Sequence, residues 1–182
     1  MSSLTRMSFA GLVLLLAAAV RVSADSATNT NSTPAPKSCQ IRNVKYAGLL
    51  RPEDANSANG TRIVLYPAQP WKCMTWKLIP AGDDAFQLRN HFTSKTFDAM
   101  GTNQVSPVVQ VPFVKDARAW PVWKFIKLAD GTCEISDIKT GRVLTAKKDE
   151  DGGSPKITLE TWREQPEQKW ELIETDPATL TM

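Results

Sequence analysis

Along this chain, short stretches in which apolar and polar positions alternate recur at a fixed interval. Trp76-Lys77-Leu78-Ile79, Trp123-Lys124-Phe125-Ile126 and Trp170-Glu171-Leu172-Ile173 stand 47 residues apart, twice over. Ile41, Leu88 and Ile135 keep the same spacing, and so do Leu50, Phe97 and Leu144. A period sustained through all three copies marks an internal threefold repeat. Alternation within each stretch predicts strands, and no segment holds a helical period for more than about one turn. Unit one is expected to form strands at Cys39–Asn43, Leu49–Leu50, Arg62–Tyr66 and Thr75–Ile79. Unit two should form them at Phe86–Asn90, Thr96–Ala99, Val108–Val111 and Val122–Leu128, and unit three at Cys133–Asp137, Arg142–Ala146, Lys156–Thr161 and Lys169–Ile173. Turn chemistry separates them: Pro52, Asn59-Gly60, Pro67 and Pro70 in unit one, and Asp151-Gly152-Gly153-Ser154-Pro155 in unit three.

Four short strands cannot bury a core alone. Three such units packed about a pseudo-threefold axis can, with two strands of each closing a six-stranded barrel and the other two forming a hairpin cap. Closure also removes exposed sheet edges. The expected fold is therefore an all-β β-trefoil, because a propeller normally needs about four to eight blades. The repeated Trp76, Trp123 and Trp170, with Leu78, Phe125 and Leu172 two residues on, are expected to form a core layer; so are Leu65, Val111 and Leu159.

Outside the repeat, Arg6 precedes an apolar run from Phe9 to Val20 that ends on Val22-Ser23-Ala24, the pattern of a secretory signal over residues 1–24 and too short for a bilayer span. Residues 25–37, rich in Ser, Thr and Pro, read as a flexible linker; residues 38–174 hold the repeats, and residues 175–182 read as a frayed tail. The product is expected to be secreted and extracellular, without a membrane partner. The chain has 22 basic and 19 acidic side chains, and loss of Arg6 and Arg21 leaves an excess of one. The charges are interspersed, as in Lys147-Lys148-Asp149-Glu150-Asp151, which reads as a solvated loop. A nucleic-acid partner would need a one-signed basic face, so none is expected.

Specific residues now carry a family resemblance. Gln168-Lys169-Trp170 matches a Q-x-W signature, Thr140-Gly141-Arg142-Val143-Leu144 matches a second-strand pattern, and Gln40-Ile41-Arg42-Asn43 and Gln87-Leu88-Arg89-Asn90 match a first strand. Over residues 38–174 the chain resembles the ricin B-type lectins. That resemblance implies a shallow sugar pocket in each unit: an Asp just after the second-strand Leu, an aromatic ending the third strand, and Asn or Gln beside the final Trp. Unit one has Tyr66 as the aromatic but Arg51 for the Asp and Met74 for the Gln. Unit two keeps Asp98, with Pro112 at the aromatic position, Phe113 one residue late, and Pro121 for the Gln. Unit three keeps Gln168, with Thr145 for the Asp, Glu160 for the aromatic, and Trp162 two residues beyond. Asp98 with Phe113 is the leading carbohydrate-binding pair, and Gln168 with Trp162 the second. Trp71, Trp120 and Trp162 do not share one lattice position and are expected to be exposed partner contacts.

Two function classes remain. One is a lectin-like module of weak or altered sugar specificity, its partner a glycan or glycoprotein. The other is a secreted β-trefoil protease inhibitor or effector, presenting a proline-framed loop such as Val105-Ser106-Pro107 or Ala68–Cys73 to a protease. No catalytic, metal or cofactor site is expected: His91 is the single histidine, three cysteines lack metal spacing, and Asp83-Asp84 and Asp149-Glu150-Asp151 fall in turns. Cys39 and Cys133 occupy equivalent points of units one and three and are expected to be unlinked, with a disulfide joining Cys73 to one of them. Asn31-Ser32-Thr33 and Asn59-Gly60-Thr61 are glycosylation sequons.

Overall fold

The structure, a computed structural model, describes residues 37–101, 105–115 and 121–181. Residues 1–36, which include Asn31 and the expected leader, and residues 116–120, which include Trp120, lie outside the described residues. Twelve strands follow in order: β1 Ser38–Asn43, β2 Leu49–Pro52, β3 Ile63–Tyr66, β4 Thr75–Gly82, β5 Ala85–Asn90, β6 Thr96–Ala99, β7 Ser106–Val111, β8 Trp123–Lys127, β9 Cys133–Asp137, β10 Val143–Lys147, β11 Lys156–Glu160 and β12 Trp170–Glu174. Each unit supplies four, at the expected places to within a few residues.

Pairing closes the barrel. Strand β1 pairs with β12 and β4, β4 with β5, β5 with β8, β8 with β9, and β9 returns to β12 through Trp170↔Cys133, all antiparallel. The remaining strands form the hairpins β2–β3, β6–β7 and β10–β11. Strand β11 joins these hairpins, pairing with β3 at Lys156↔Val64 and with β7 at Leu159↔Ser106. A six-stranded barrel capped by three hairpins is the β-trefoil expected from the repeat.

Trp76, Trp123 and Trp170 are fully buried, in one cluster with Ile41, Leu50, Leu65, Leu88, Phe97, Ile135, Leu144 and Leu159. Phe97 sits between two of the indoles, 4.9 Å from Trp76 edge-on and 4.9 Å from Trp123 tilted. Val111 and Leu172 are only partly buried. Leu172 lies two residues past the single pair that joins β12 to β9. The threefold symmetry is broken at the indole nitrogens. Trp76 Nε1 donates to the Leu50 carbonyl at 3.0 Å and Trp170 Nε1 to the Leu144 carbonyl at 3.1 Å, while Trp123 Nε1 is buried without a partner.

A second lattice with the same spacing sets the turns. The side-chain oxygens of Asn43, Asn90 and Asp137 accept backbone N–H groups two and three residues on. Each of those turns ends in a left-handed residue: Ala47 (φ 53°), Ser94 (φ 58°) and Gly141 (φ 67°).

Several expectations are corrected here. The tail is ordered through Thr181: a 3-10 turn at Pro177–Thr179 brings Thr181 beside Trp71, where its N–H donates to the Pro70 carbonyl at 2.8 Å and its carbonyl accepts from Lys72 N–H at 3.0 Å. Burial of Leu180 holds it there. All three cysteines are free thiols, so the expected Cys73 disulfide is not formed. Cys39 and Cys133 pack in the main core, whereas Cys73 belongs to a separate cluster with Leu49 and Met74. Burial pushes the Cys133 thiol up to about 12 and the Cys39 thiol higher still, the latter also through its neighbour Cys133. Ser106 and Pro107 are not loop residues: they open β7 and pair with β11, and Ser106 is fully buried. Asp149 is buried and paired with Lys156 at 2.7 Å, so its loop is anchored rather than fully solvated.

Candidate functional site

The structure does not bring the leading pair together. Asp98 lies on β6 opposite Val109, while Phe113 follows Val111, the partner of Thr96. Val109 and Val111 are two register steps apart, about 7 Å, and Phe113 lies a further two residues past the end of the ladder. Half-buried Asp98 accepts the N–H of Ala99 at 2.7 Å through Oδ1. Phe113 instead faces the Arg89 guanidinium at 5.6 Å and lines a shallow depression with Lys77, Pro80 and Lys115. Pro112 is responsible in part, since it cannot donate to the ladder and ends β7 at Val111.

In unit one, Tyr66 borders a depression of about 430 Å³ with Tyr46, Leu65, Pro67 and Pro155, but its ring is already stacked upon. The Arg51 guanidinium stacks on its ring at 3.8 Å from the centroid, and Trp71 stacks against it with ring centres 5.9 Å apart. Trp71, expected exposed, is half-buried between Tyr66 and the C-terminal segment.

Unit three holds a polar cleft. Gln168, expected to meet a sugar, is buried with its amide satisfied internally. Its Nε2 donates to the Thr145 hydroxyl at 3.1 Å and the Thr161 carbonyl at 2.8 Å, and its Oε1 accepts from Arg163 N–H at 2.7 Å. The amide fixes the floor rather than reaching out. Trp162 is half-buried and does not line the cleft. The walls come from residues to which the sequence assigned no binding role. Glu160, at the aromatic position, is mostly buried; it accepts from Lys147 Nζ at 2.6 Å and from the Thr158 hydroxyl at 3.1 Å. Tyr46 enters from the first turn of unit one, and Lys148, Arg163, Gln165 and Glu167 complete a cleft of about 330 Å³. A volume of that size falls in the range of about 300–1,000 Å³ typical of small-molecule sites. One signal was available beforehand: Thr145, Glu160 and Gln168 stand at the three positions the family pattern names, with changed chemistry.

His91 is partly buried, with its Nε2 3.0 Å from the Ser38 hydroxyl, and burial lowers its pKa, as do Lys77, Arg89 and Lys72 nearby. No group of three or more potential metal ligands is found among the described residues.

Comparison with known proteins gives no match to a family model and none to a curated protein. Solved structures do match. The designed three-fold symmetric protein ThreeFoil is similar with a TM-score of 0.69 at 17% identity, covering 76% of this chain and 99% of that one. The Rhizoctonia solani agglutinin gives a TM-score of 0.67 at 16% identity, covering 79% and 98%. The C-terminal domain of an earthworm lectin, a mutant in complex with 6'-sialyllactose, gives 0.59 at 20% identity, covering 77% and 100%. At such identities the likeness is one of fold, and with the closed barrel, the three-hairpin cap and the Trp lattice it leads to one statement: this chain is a β-trefoil.

Proposed function

We propose that the domain is a carbohydrate-binding module whose glycan site is the unit-three cleft. The observation that carries this reading is the Glu160–Lys147 pair, a carboxylate and an ammonium 2.6 Å apart, opening on a polar cleft beside the Tyr46 ring. Adjacent sugar hydroxyls each donate and accept, so an acceptor and a donor side by side match them, and an aromatic face suits the apolar C–H side of the ring. The agglutinin and the lectin with bound sialyllactose lend support by fold. The leader pattern at residues 1–24 supports export, where glycans are displayed. Asn59, exposed in its turn, is proposed as an attachment site for the protein's own glycan.

The test is a glycan array with the wild-type domain, followed by titration of the best binder against Glu160→Gln and Asp98→Ala. Glu160→Gln keeps the shape but removes the charge, and should weaken binding about tenfold or more. Asp98→Ala should bind as the wild type does. The reverse pattern would move the site to unit two, and a wild-type domain that binds no glycan would reject the reading.

A further inference from the structure

The equivalent cleft in unit one has a different chemistry. It is enclosed by Arg51, Ala55, Trp71, Cys73 and Phe92 and holds about 200 Å³. Its lining is almost wholly apolar apart from one cation. Arg51 is buried, its side chain 8% exposed, and its Nε has no hydrogen-bond partner. One guanidinium face lies on Tyr66. The nearest carboxylate, Asp54, is 3.8 Å away, beyond hydrogen-bond range, and is itself 90% exposed. The remaining neighbour, the Cys73 thiol, is a weak acceptor; burial raises its pKa and Arg51 acts against that rise. A buried guanidinium without a hydrogen-bonded anion is unfavourable, and its planar fork fits a carboxylate.

We propose that this cleft binds a small aryl carboxylate, the acid on Arg51 and the hydrocarbon against Trp71 and Phe92. Size sets the ligand class: a cavity of about 150 Å³ accommodates benzene, so 200 Å³ admits a single ring with a short acid arm. Charge sets it too. One cation matches a monoanion, whereas a phosphate would carry an unmatched second charge into an apolar site. A neutral sugar finds almost no polar partners here, so this site is separate from the unit-three reading and stands without it.

The probe is 3-phenylpropanoate, titrated calorimetrically into the full domain, with 3-phenylpropan-1-ol and acetate as controls. The acid should bind, and the alcohol and acetate should each bind about tenfold or more weakly, one lacking the charge and the other the ring. Bound probe should also slow alkylation of Cys73, followed by peptide mass spectrometry, because the thiol lines the cleft. Arg51→Met should abolish the preference for acid over alcohol. If Arg51→Met fails to fold, Trp71→Ala should weaken the acid, and the wild-type comparison and Cys73 protection need no variant. No binding of the acid at millimolar concentration, alcohol binding as tightly as acid, or unprotected Cys73 would each overturn the assignment.

Discussion

The unpaired indole of Trp123 allows the core to be tested against itself. Trp76 and Trp123 are both fully buried at equivalent points of the repeat, so a Trp→Phe change removes the same atoms at each site, and the packing loss largely cancels between them. The polar terms differ. At Trp76 the change deletes the Nε1–H bond to the Leu50 carbonyl at 3.0 Å, a net contribution of about 1 kcal/mol. At Trp123 it deletes a buried N–H that has no acceptor, relieving a desolvation cost of about 1–3 kcal/mol. Trp123→Phe should therefore be the milder change by about 2–4 kcal/mol, or roughly 5–15 °C in melting temperature for a domain of this size. Trp170→Phe, which loses a 3.1 Å bond to the Leu144 carbonyl, should follow Trp76→Phe. Urea unfolding followed by far-UV circular dichroism measures all three, provided the denaturant slope is unchanged. If the three variants lose the same stability within about 0.5 kcal/mol, or Trp123→Phe loses most, the unpaired N–H has been misjudged.

The left-handed positions should separate by residue type. Ala47→Gly and Ser94→Gly relieve a side chain held at positive φ and should each stabilise by about 0.5–1 kcal/mol, while Gly141→Ala should cost about 1 kcal/mol, all by urea unfolding. For Asp130, hydrogen bonds from Thr132 and Lys169 hold the folded carboxyl at about 2, below the ordinary value of about 3.9. Because the folded value is the lower one, its contribution is present above about pH 4 and is lost as pH falls toward 2. Carboxyl-carbon NMR should find that midpoint, and Asp130→Asn should flatten this part of the acid limb. Intact mass of the protein should be unchanged by reduction, since the thiols are free, and, from a glycosylating host, should fall on glycosidase treatment as the proposed attachment at Asn59 requires.

The alternation of apolar positions and its 47-residue period were enough to predict the strands, the core tryptophans and the barrel. Burial is largely a property of each residue's own place in a periodic pattern, so a single chain displays it. Polar partners are not local in that way. Gln168 finds Thr145 across 23 residues, Lys169 finds Asp130 across 39, and Arg42 finds Glu171 across 129. Only the closed barrel decides those meetings, which is why Gln168 read as a ligand contact in the sequence and is a floor bond in the fold. The same holds for the arginine on Tyr66, for Thr181 beside Trp71, and for Asp98 and Phe113, adjacent in a family pattern but held apart by the register of one hairpin. Sequence determined which faces turn inward, because water excludes apolar surface wherever it lies. The tertiary structure decided which polar groups remain free to bind, because a hydrogen bond needs its partner within about 3 Å.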